Sequence, residues 1–243
     1  MEKYSLFLAL AFISEIIGTV TGFGSSIMFV PLASLFFDFK TVLGITAVFH
    51  VFSNLSKITL FRKGVNKEIV LKLGVFAVVF VSIGALLTAY LPTEVLALIM
   101  NLALILLAIF LMIYGDKSLK QSNRNLYLGG LLSGLLAGIA GTGGAIRGLT
   151  LAAFQLPKDV LIATSALIDL GVDISRAGIY LWNGYLAQEY YVLIPSLIVI
   201  GFLGSWIGKR ILNHVSEKLF RYLLLSIIIL SSLIQLIHYV AGS

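Results

Sequence analysis

Long, uninterrupted runs of apolar residues, rich in Leu, Ile and Ala, take up most of this chain. The runs lie near 41–61, 69–91, 95–114, 160–182, 190–208 and 218–240. A transmembrane helix needs ~20 apolar residues, and each run has about that length. A β-barrel does not fit, because barrel strands alternate polar and apolar residues over ~10-residue segments. We therefore predict an all-α polytopic membrane protein.

The low content of charged residues supports the same class. Only 12% of the 243 residues are charged and 59% are hydrophobic, whereas a soluble domain has ~25% charged residues. In such a chain the formal net charge of +6 indicates orientation in the membrane and affinity for anionic lipid headgroups, not nucleic-acid binding. Cysteine is absent, which excludes disulfides and thiolate chemistry.

A motif near the start of the chain returns in its second half. Gly22-Phe23-Gly24-Ser25 recurs as Gly141-Thr142-Gly143-Gly144, displaced by 119 residues (141 − 22). At the same displacement, Asn54 aligns with Asp173. An ordered set of matches at one spacing is the signature of an internal repeat.

The displacement divides the chain into two halves. We assign 1–115 to the first repeat, 116–125 to a polar linker and 126–243 to the second repeat. Each repeat opens with a glycine-interrupted apolar segment, near 4–37 or 126–156, and continues with three long spans. Two full crossings need ~40 residues, so we expect each interrupted segment to be a Gly-broken hairpin of broken or half-length helices.

The distribution of basic residues places corresponding loops on opposite sides of the membrane. The loop after residue 61 is basic and its counterpart at 183–189 has no Lys or Arg, whereas the next pair of loops shows the reverse. By the positive-inside rule, the linker at 116–125 lies in the cytoplasm and both termini lie outside. Two inverted repeats of this kind are the architecture of many secondary transporters.

The two glycine clusters are candidate anion sites. Unwound backbone within a bilayer leaves N–H groups that only protein or a water-filled cavity can satisfy. Consecutive free N–H groups at a helix start attract anions, and hydroxyl groups within the clusters would add donors. Close helix packing is the alternative for the small residues spaced four apart, which are Gly18 with Gly22 and Gly134 with Gly138.

A row of polar residues follows each cluster on the next span. The first row is His50, Asn54 and Lys57, and the second, at the same spacing, is Asp169, Asp173 and Arg176. Positions i, i+4 and i+7 share one helical face. Ionisable groups within a span cost ~2.5–3.5 kcal/mol each, so by default they face a cavity or one another.

Purely structural roles are the alternatives for four of these side chains. Asp173 and Arg176 can form an internal ion pair that only locks helices together. The long stem of Lys57 can carry its ammonium group to the basic loop. His50 can be a hydrogen-bonded structural group instead of a ligand or proton carrier.

Two further ionisable residues lie beside the glycine clusters. Arg147 lies three residues beyond Gly144, and its guanidinium fork suits a tetrahedral or planar oxyanion. The alternative for Arg147 is a salt bridge to Asp169 or Asp173. Glu15 lies one turn before the first cluster, which begins at Gly18, and either binds a proton or caps backbone donors.

These considerations define the candidate site. The predicted substrate-binding residues are Gly22, Gly24, Ser25, Ser26, Asn54, Gly141, Thr142, Gly143, Gly144, Arg147, Asp173 and Arg176. The candidate carriers of a coupled proton or Na⁺ are Glu15, His50 and Asp169.

No metal centre, cofactor or enzymatic activity is expected. Three dispersed His and no Cys provide no ligand cluster at a recognisable spacing. Intramembrane proteolysis is disfavoured, because Asp169 and Asp173 lie on one predicted helix instead of facing each other across two.

With these motifs the chain resembles the sulfite exporter TauE/SafE family of membrane anion transporters. The resemblance rests on Gly22-Phe23-Gly24 with Val30-Pro31 and on Gly141-Thr142-Gly143-Gly144. It implies a multi-pass transporter of the cytoplasmic membrane that handles sulfur oxyanions or organosulfonates. Ser25-Ser26 stand where the family commonly has glycines, and Arg147 stands within what is commonly an apolar run. A different anion, such as a carboxylate, is therefore the alternative substrate.

The sequence thus predicts a secondary transporter that moves a small anion across the membrane by alternating access, with Arg147 and Arg176 supplying charge. Export can run on the membrane potential alone, whereas uptake requires a coupled proton or Na⁺. An anion channel and a non-transporting membrane scaffold are the alternatives, although the chain has few long loops for partners. The expected partners are the anionic solute and the lipid bilayer, and a homo-oligomer is left open.

Overall fold

A computed structural model describes residues 2–61, 64–114 and 120–212, together with positions 229 and 233. These residues form helices and connecting turns, with no β-strand among them. The helices are α1 (Glu2–Thr21), α2 (Ser26–Ala33), α3 (Phe39–Leu60), α4 (Lys67–Tyr90), α5 (Thr93–Tyr114), α6 (Asn123–Ala140), α7 (Gly144–Ala152), α8 (Lys158–Trp182) and α9 (Gln188–Ile211).

Five of these helices are long and apolar enough to cross a membrane. They are α1, α3, α4, α5 and α9. The predicted all-α, multi-pass class is therefore confirmed, and the five predicted runs within the described ranges coincide with α3, α4, α5, α8 and α9 to within three residues. The span predicted at 218–240 and most of the linker lie outside the described residues, while α6 already begins at Asn123 within the predicted linker.

Both glycine clusters interrupt the helical path. Helix α1 ends at Thr21 and α2 begins at Ser26, while α6 ends at Ala140 and α7 begins at Gly144. Gly22 and Gly141 have φ of +71° and +73°, in the left-handed region that ends helices and favours glycine.

In each glycine-broken segment, the helix before the glycines is about twice as long as the helix after them. This corrects the expectation of half-length helices on both sides. Helices α1 and α6, before the glycines, have 20 and 18 residues, and helices α2 and α7, after them, have 8 and 9. At ~1.5 Å per residue, α1 and α6 are ~30 Å and ~27 Å long, close to the thickness of the hydrocarbon core of a bilayer. Only α2 and α7 are half-length helices.

Helices from the two halves pack reciprocally. Helix α1 packs against α9 and α6 packs against α4, while α3 contacts both α8 and α9, and α8 contacts both α3 and α4. Exchanging the halves maps this set of contacts onto itself. Glycines permit the closest approaches: a methyl group on Gly134 would lie 2.8 Å from the Cα of Ala77, and one on Gly204 would lie 2.8 Å from the Glu15 side chain. Packing therefore accounts for Gly134 on α6.

Candidate functional site

A small cavity lies where α3 and α8 cross beside the two breaks. Most of the predicted site residues line it: Gly24, Ser25, Ser26, His50, Asn54, Gly141, Gly143, Gly144, Arg147, Asp169, Asp173 and Arg176. Lys57, Ala137 and Val172 complete the lining. The cavity volume is about 20 Å³, which is room for about one water molecule.

The two breaks touch each other at this cavity. The Ser26 hydroxyl donates to the Thr142 hydroxyl at 3.3 Å, and a methyl group on Gly24 would lie 3.9 Å from the Cα of Gly144. Neither α2 nor α7 has a side chain that caps its N-terminus. Because the first turn of a helix lacks internal acceptors for its N–H groups, two partially positive helix ends face the cavity.

Helices α3 and α8 meet at residues that the repeat relates to each other. The amide Nδ2 of Asn54 donates to Oδ2 of Asp173 at 2.7 Å, and the two positions are 119 apart. The other Asp173 oxygen accepts from Nε and Nη2 of Arg176, each at 2.7 Å. The predicted Asp173–Arg176 pair is therefore present, and it also faces the cavity.

Arg176 is fully engaged by groups on three helices. Its Nη1 donates to the carbonyls of Ala137 at 3.2 Å and Gly141 at 2.7 Å, and its Nη2 contacts Nδ1 of His50 at 3.3 Å. With the hydrogen bond from Nε and the ion-pair contact from Nη2 to Asp173, every nitrogen of the guanidinium has at least one partner. Arg176 thus supplies donors to the last carbonyls of α6, which a helix leaves without internal partners, and a cation suits that end of the helix dipole.

Arg147 is engaged only in part. Its side chain is 3% exposed and forms an ion pair with Asp169, and its Nε contacts Ser165 Oγ at 3.4 Å. Its Nη1 is buried and has no hydrogen-bond partner among the described residues. An unpaired guanidinium N–H is costly to bury, so this group is a strong candidate for holding a ligand oxygen.

Glu15 lies behind the cavity, fully buried in a cage of hydroxyl groups. Its Oε1 accepts from Ser53 at 2.6 Å and Ser205 at 2.7 Å, with Thr19 at 3.4 Å. Its Oε2 accepts from Ser25 at 2.7 Å. The hydroxyls come from α1, α3, α9 and the turn before α2, so this one carboxylate joins both halves of the chain.

Lys57 pairs with Glu15 and does not reach the basic loop, so the snorkelling alternative is wrong. Its Nζ lies 2.8 Å from Oε1 of Glu15 and 3.0 Å from the Ser53 hydroxyl. An unpaired ammonium group within the membrane is costly, and the buried Glu15 carboxylate supplies a partner for it. The described site therefore contains three buried or nearly buried ion pairs, Lys57–Glu15, Arg147–Asp169 and Arg176–Asp173, and its formal charges balance.

His50 connects the hydrogen bonds around Glu15 and Ser25 to those around Arg176 and Asp173. Because Arg176 can only donate, Nδ1 of His50 must accept, and the ring is neutral with its proton on Nε2. That Nε2–H then donates to the Ser25 hydroxyl at 3.0 Å. A continuous chain of hydrogen bonds runs from Glu15 through Ser25, His50 and Arg176 to Asp173.

Several residues of this network carry no clear signal in the sequence. Ser53, Ser205 and Thr19 look like ordinary hydroxyl residues of apolar helices, where they commonly bond to their own backbone. Tyr180, whose hydroxyl donates to the carbonyl of Gly138 at 2.5 Å, resembles an aromatic residue near a span end. Gly22 and Thr142, predicted to bind substrate, lie next to the cavity and not in its lining.

Known proteins resemble this chain over nearly its whole length. Residues 6–234 match the family described as Sulfite exporter TauE/SafE. A protein of Methanocaldococcus jannaschii described as a probable membrane transporter protein is 28% identical over 260 residues, covering 96% of this chain and 95% of that protein. No solved structure shows a significant match.

Proposed function

We propose that this chain, which belongs to the sulfite exporter TauE/SafE family, is a secondary transporter that moves a small anion by alternating access. The family and the membrane-transporter relative support membrane transport. The finer assignment, a sulfur oxyanion or organosulfonate as substrate, rests on the family description and on the chemistry of the cavity. A carboxylate is the alternative substrate.

One observation carries the proposal: the buried, unpartnered Nη1 of Arg147 at a cavity lined by two uncapped helix N-termini. Backbone N–H groups, hydroxyls and a guanidinium fork together favour an oxyanion. Every guanidinium nitrogen of Arg176 already has a partner, so we assign it to holding the site together. Arg147, which shares the cavity lining with Lys57, is the residue that we expect to contact the anion.

The size of the cavity favours a gated carrier over an open pore. About 20 Å³ is too small for an oxyanion with several heavy atoms, since one water already needs ~10–15 Å³ on the same measure. Binding must therefore separate side chains that are paired in this structure. Carriers built from two repeats achieve this by rocking one half against the other around a central site.

Opposite insertion of the two halves is part of the proposal. The reciprocal contacts of α1 with α9 and α6 with α4 support a two-fold relation between the halves, and the basic loops support their opposite orientation. In this arrangement the linker is cytoplasmic, both termini lie outside, and the breaks meet near the middle of the cytoplasmic membrane.

Cysteine labelling tests this topology cleanly, because the chain has no native cysteine. We expect single cysteines introduced at 64–67 to react with a membrane-impermeant maleimide only from the cytoplasmic side. Cysteines at 184–187 should react only from the other side. Labelling of both sites from one face would contradict the inverted repeat.

The direction of transport decides whether a coupled ion is needed. Moving one negative charge out of an inside-negative cell releases about 2.3 kcal/mol per 100 mV, so export can proceed alone. Uptake has to overcome the same energy and needs a proton or Na⁺, for which Glu15, His50 and Asp169 are the candidate carriers.

Flux measurements in proteoliposomes test the function itself. We expect the purified protein to exchange at least one member of a panel of sulfite, thiosulfate, methanesulfonate and small carboxylates, with saturation and at carrier rates. Planar-bilayer recordings should show no unitary conductance, because a carrier does not open a continuous pore. Unitary currents would favour the channel alternative, and absence of any flux would favour the scaffold.

A further inference from the structure

We propose that Glu15 is the proton site that is coupled to the anion, and that Lys57 and Ser25 transmit its protonation to the cavity. This inference rests on the proposed function. In the structure, Glu15 does not line the cavity, whereas Lys57 and Ser25 do, and each is bonded to Glu15, at 2.8 Å and 2.7 Å. Both of the groups that bridge from Glu15 to the cavity are thus hydrogen-bond donors.

Charge balance creates the need for a proton. The three ion pairs of the site sum to zero formal charge, so an added monovalent anion leaves one buried negative charge. Burying an uncompensated charge costs several kcal/mol. Uptake of one proton by one of the three carboxylates restores neutrality.

The hydrogen-bond partners of the three carboxylates select Glu15. Asp173 is held by N–H donors of Arg176 and Asn54, so a protonated Asp173 would place its O–H against donors and would require the Asn54 amide to turn over. Asp169 is held by Arg147 and has the Ser165 hydroxyl at 3.3 Å. That long contact is the one hydroxyl on Asp169 among the described residues, so it offers a protonated Asp169 a poor acceptor. Glu15 is surrounded mainly by hydroxyls, and a hydroxyl both donates and accepts, so its cage can satisfy the carboxylate and the carboxylic acid alike.

The surroundings of Glu15 are defined on every helix packed against it. Helix α3 contributes Lys57, Ser53 and, through Ser25, the neutral His50. Helices α1 and α9 contribute the hydroxyls of Thr19 and Ser205. Lys57 is the charged group in direct contact, so protonation of Glu15 removes the partner of that one ammonium.

The proton and the anion then bind together. A proton from water on the open side adds to Oγ of Ser25 as the Ser25 O–H passes its own proton to Oε2 of Glu15, and the new Glu15 O–H donates to Ser25 Oγ. The Ser25 oxygen can accept from both Glu15 and His50, so its own O–H turns towards the cavity. Lys57, released from Glu15, turns its ammonium to the anion. One proton and one negative charge enter, and the net charge of the site stays at zero.

The test uses methanesulfonate, which keeps a single negative charge at all relevant pH values and so cannot carry the proton itself. In proteoliposomes with full-length protein, we expect a pH gradient to concentrate methanesulfonate on the alkaline side by about tenfold per pH unit, since coupling is one to one. Glu15→Gln should abolish this accumulation, and any anion exchange that the variant retains should no longer respond to the pH gradient. Glu15→Asp should retain accumulation in part.

Controls separate this inference from the function on which it rests. Glu68→Gln, at an exposed carboxylate on α4, should behave as the wild type. In Glu15→Gln, Lys57 has no carboxylate partner and is available to the anion. Methanesulfonate should therefore raise the melting temperature of this variant more than that of the wild type. Such a shift also shows that the variant is folded. Accumulation by Glu15→Gln, or Na⁺-driven accumulation without a pH gradient, overturns the inference alone. Absence of exchange of every anion by the wild type overturns the proposed function and the inference with it.

Discussion

Replacing Arg147 by alanine is expected to reduce anion flux at limiting substrate by about 30- to 4,000-fold. The range corresponds to the ~2–5 kcal/mol that truncating a buried, hydrogen-bonded charge costs, at 1.4 kcal/mol per tenfold change. Arg147 is the cavity cation with a buried N–H group that has no partner among the described residues, so its loss removes a contact with the anion. Initial rates of exchange in proteoliposomes measure the effect.

A conservative variant separates the role of Arg147 in binding from its role in the ion pair. Arg147→Lys keeps the charge and can still pair with Asp169, but it lacks the planar fork that holds two oxygens. We expect this variant to be as stable as the wild type and to lose most of the flux. Arg124→Ala, at an exposed arginine in the first turn of α6, is the matched control and should transport normally. Equal flux in Arg147→Ala and the wild type would remove Arg147 from the site.

The helices and the breaks could be predicted because their causes are local. Apolar runs of about 20 residues are long enough to form membrane-crossing helices, and α3, α4, α5 and α9 agree with the sequence within three residues. The interruptions follow from glycines that adopt positive φ at Gly22 and Gly141. The alignment of the two halves then indicated which polar residues share a place in the repeat, such as Asn54 and Asp173.

The partners of Glu15 and Lys57 could not be predicted, because they depend on contacts between distant segments. Nothing in the sequence near Lys57 indicates that Glu15, 42 positions away (57 − 15), is its partner. The hydroxyls of Ser53 and Ser205 carry no insertion penalty that would mark them in an apolar helix. Arg147 and Arg176 are equivalent as residue types, and they differ only in how many of their N–H groups find acceptors in the fold.

Arg176 and Asp173 should show the largest effect on stability. Removing one partner of a buried ion pair leaves an uncompensated charge and costs about 3–5 kcal/mol. Arg176→Met also removes the 2.7 Å donor to the carbonyl of Gly141, at about 1–3 kcal/mol for an unsatisfied group, whereas the carbonyl of Ala137 keeps a contact with the Tyr180 hydroxyl. We therefore expect Arg176→Met to be strongly destabilised or to fail to accumulate as folded protein. The free energy of unfolding in mixed micelles, or the melting temperature in detergent, measures the change.

A double variant tests whether the buried charge is the cause. Arg176→Met with Asp173→Leu removes both charges, so it should recover the part of the stability that the orphaned carboxylate cost, because a buried pair replaced by apolar residues is often neutral. Recovery should be incomplete, since the carbonyl of Gly141 still lacks its donor. The exposed pair Lys72–Glu68 is the control, and Lys72→Met should change stability by no more than about 0.5 kcal/mol. If Arg176→Met unfolded like the wild type, Arg176 would not hold the two halves together, and its N–H groups would have to be reconsidered as donors to the anion.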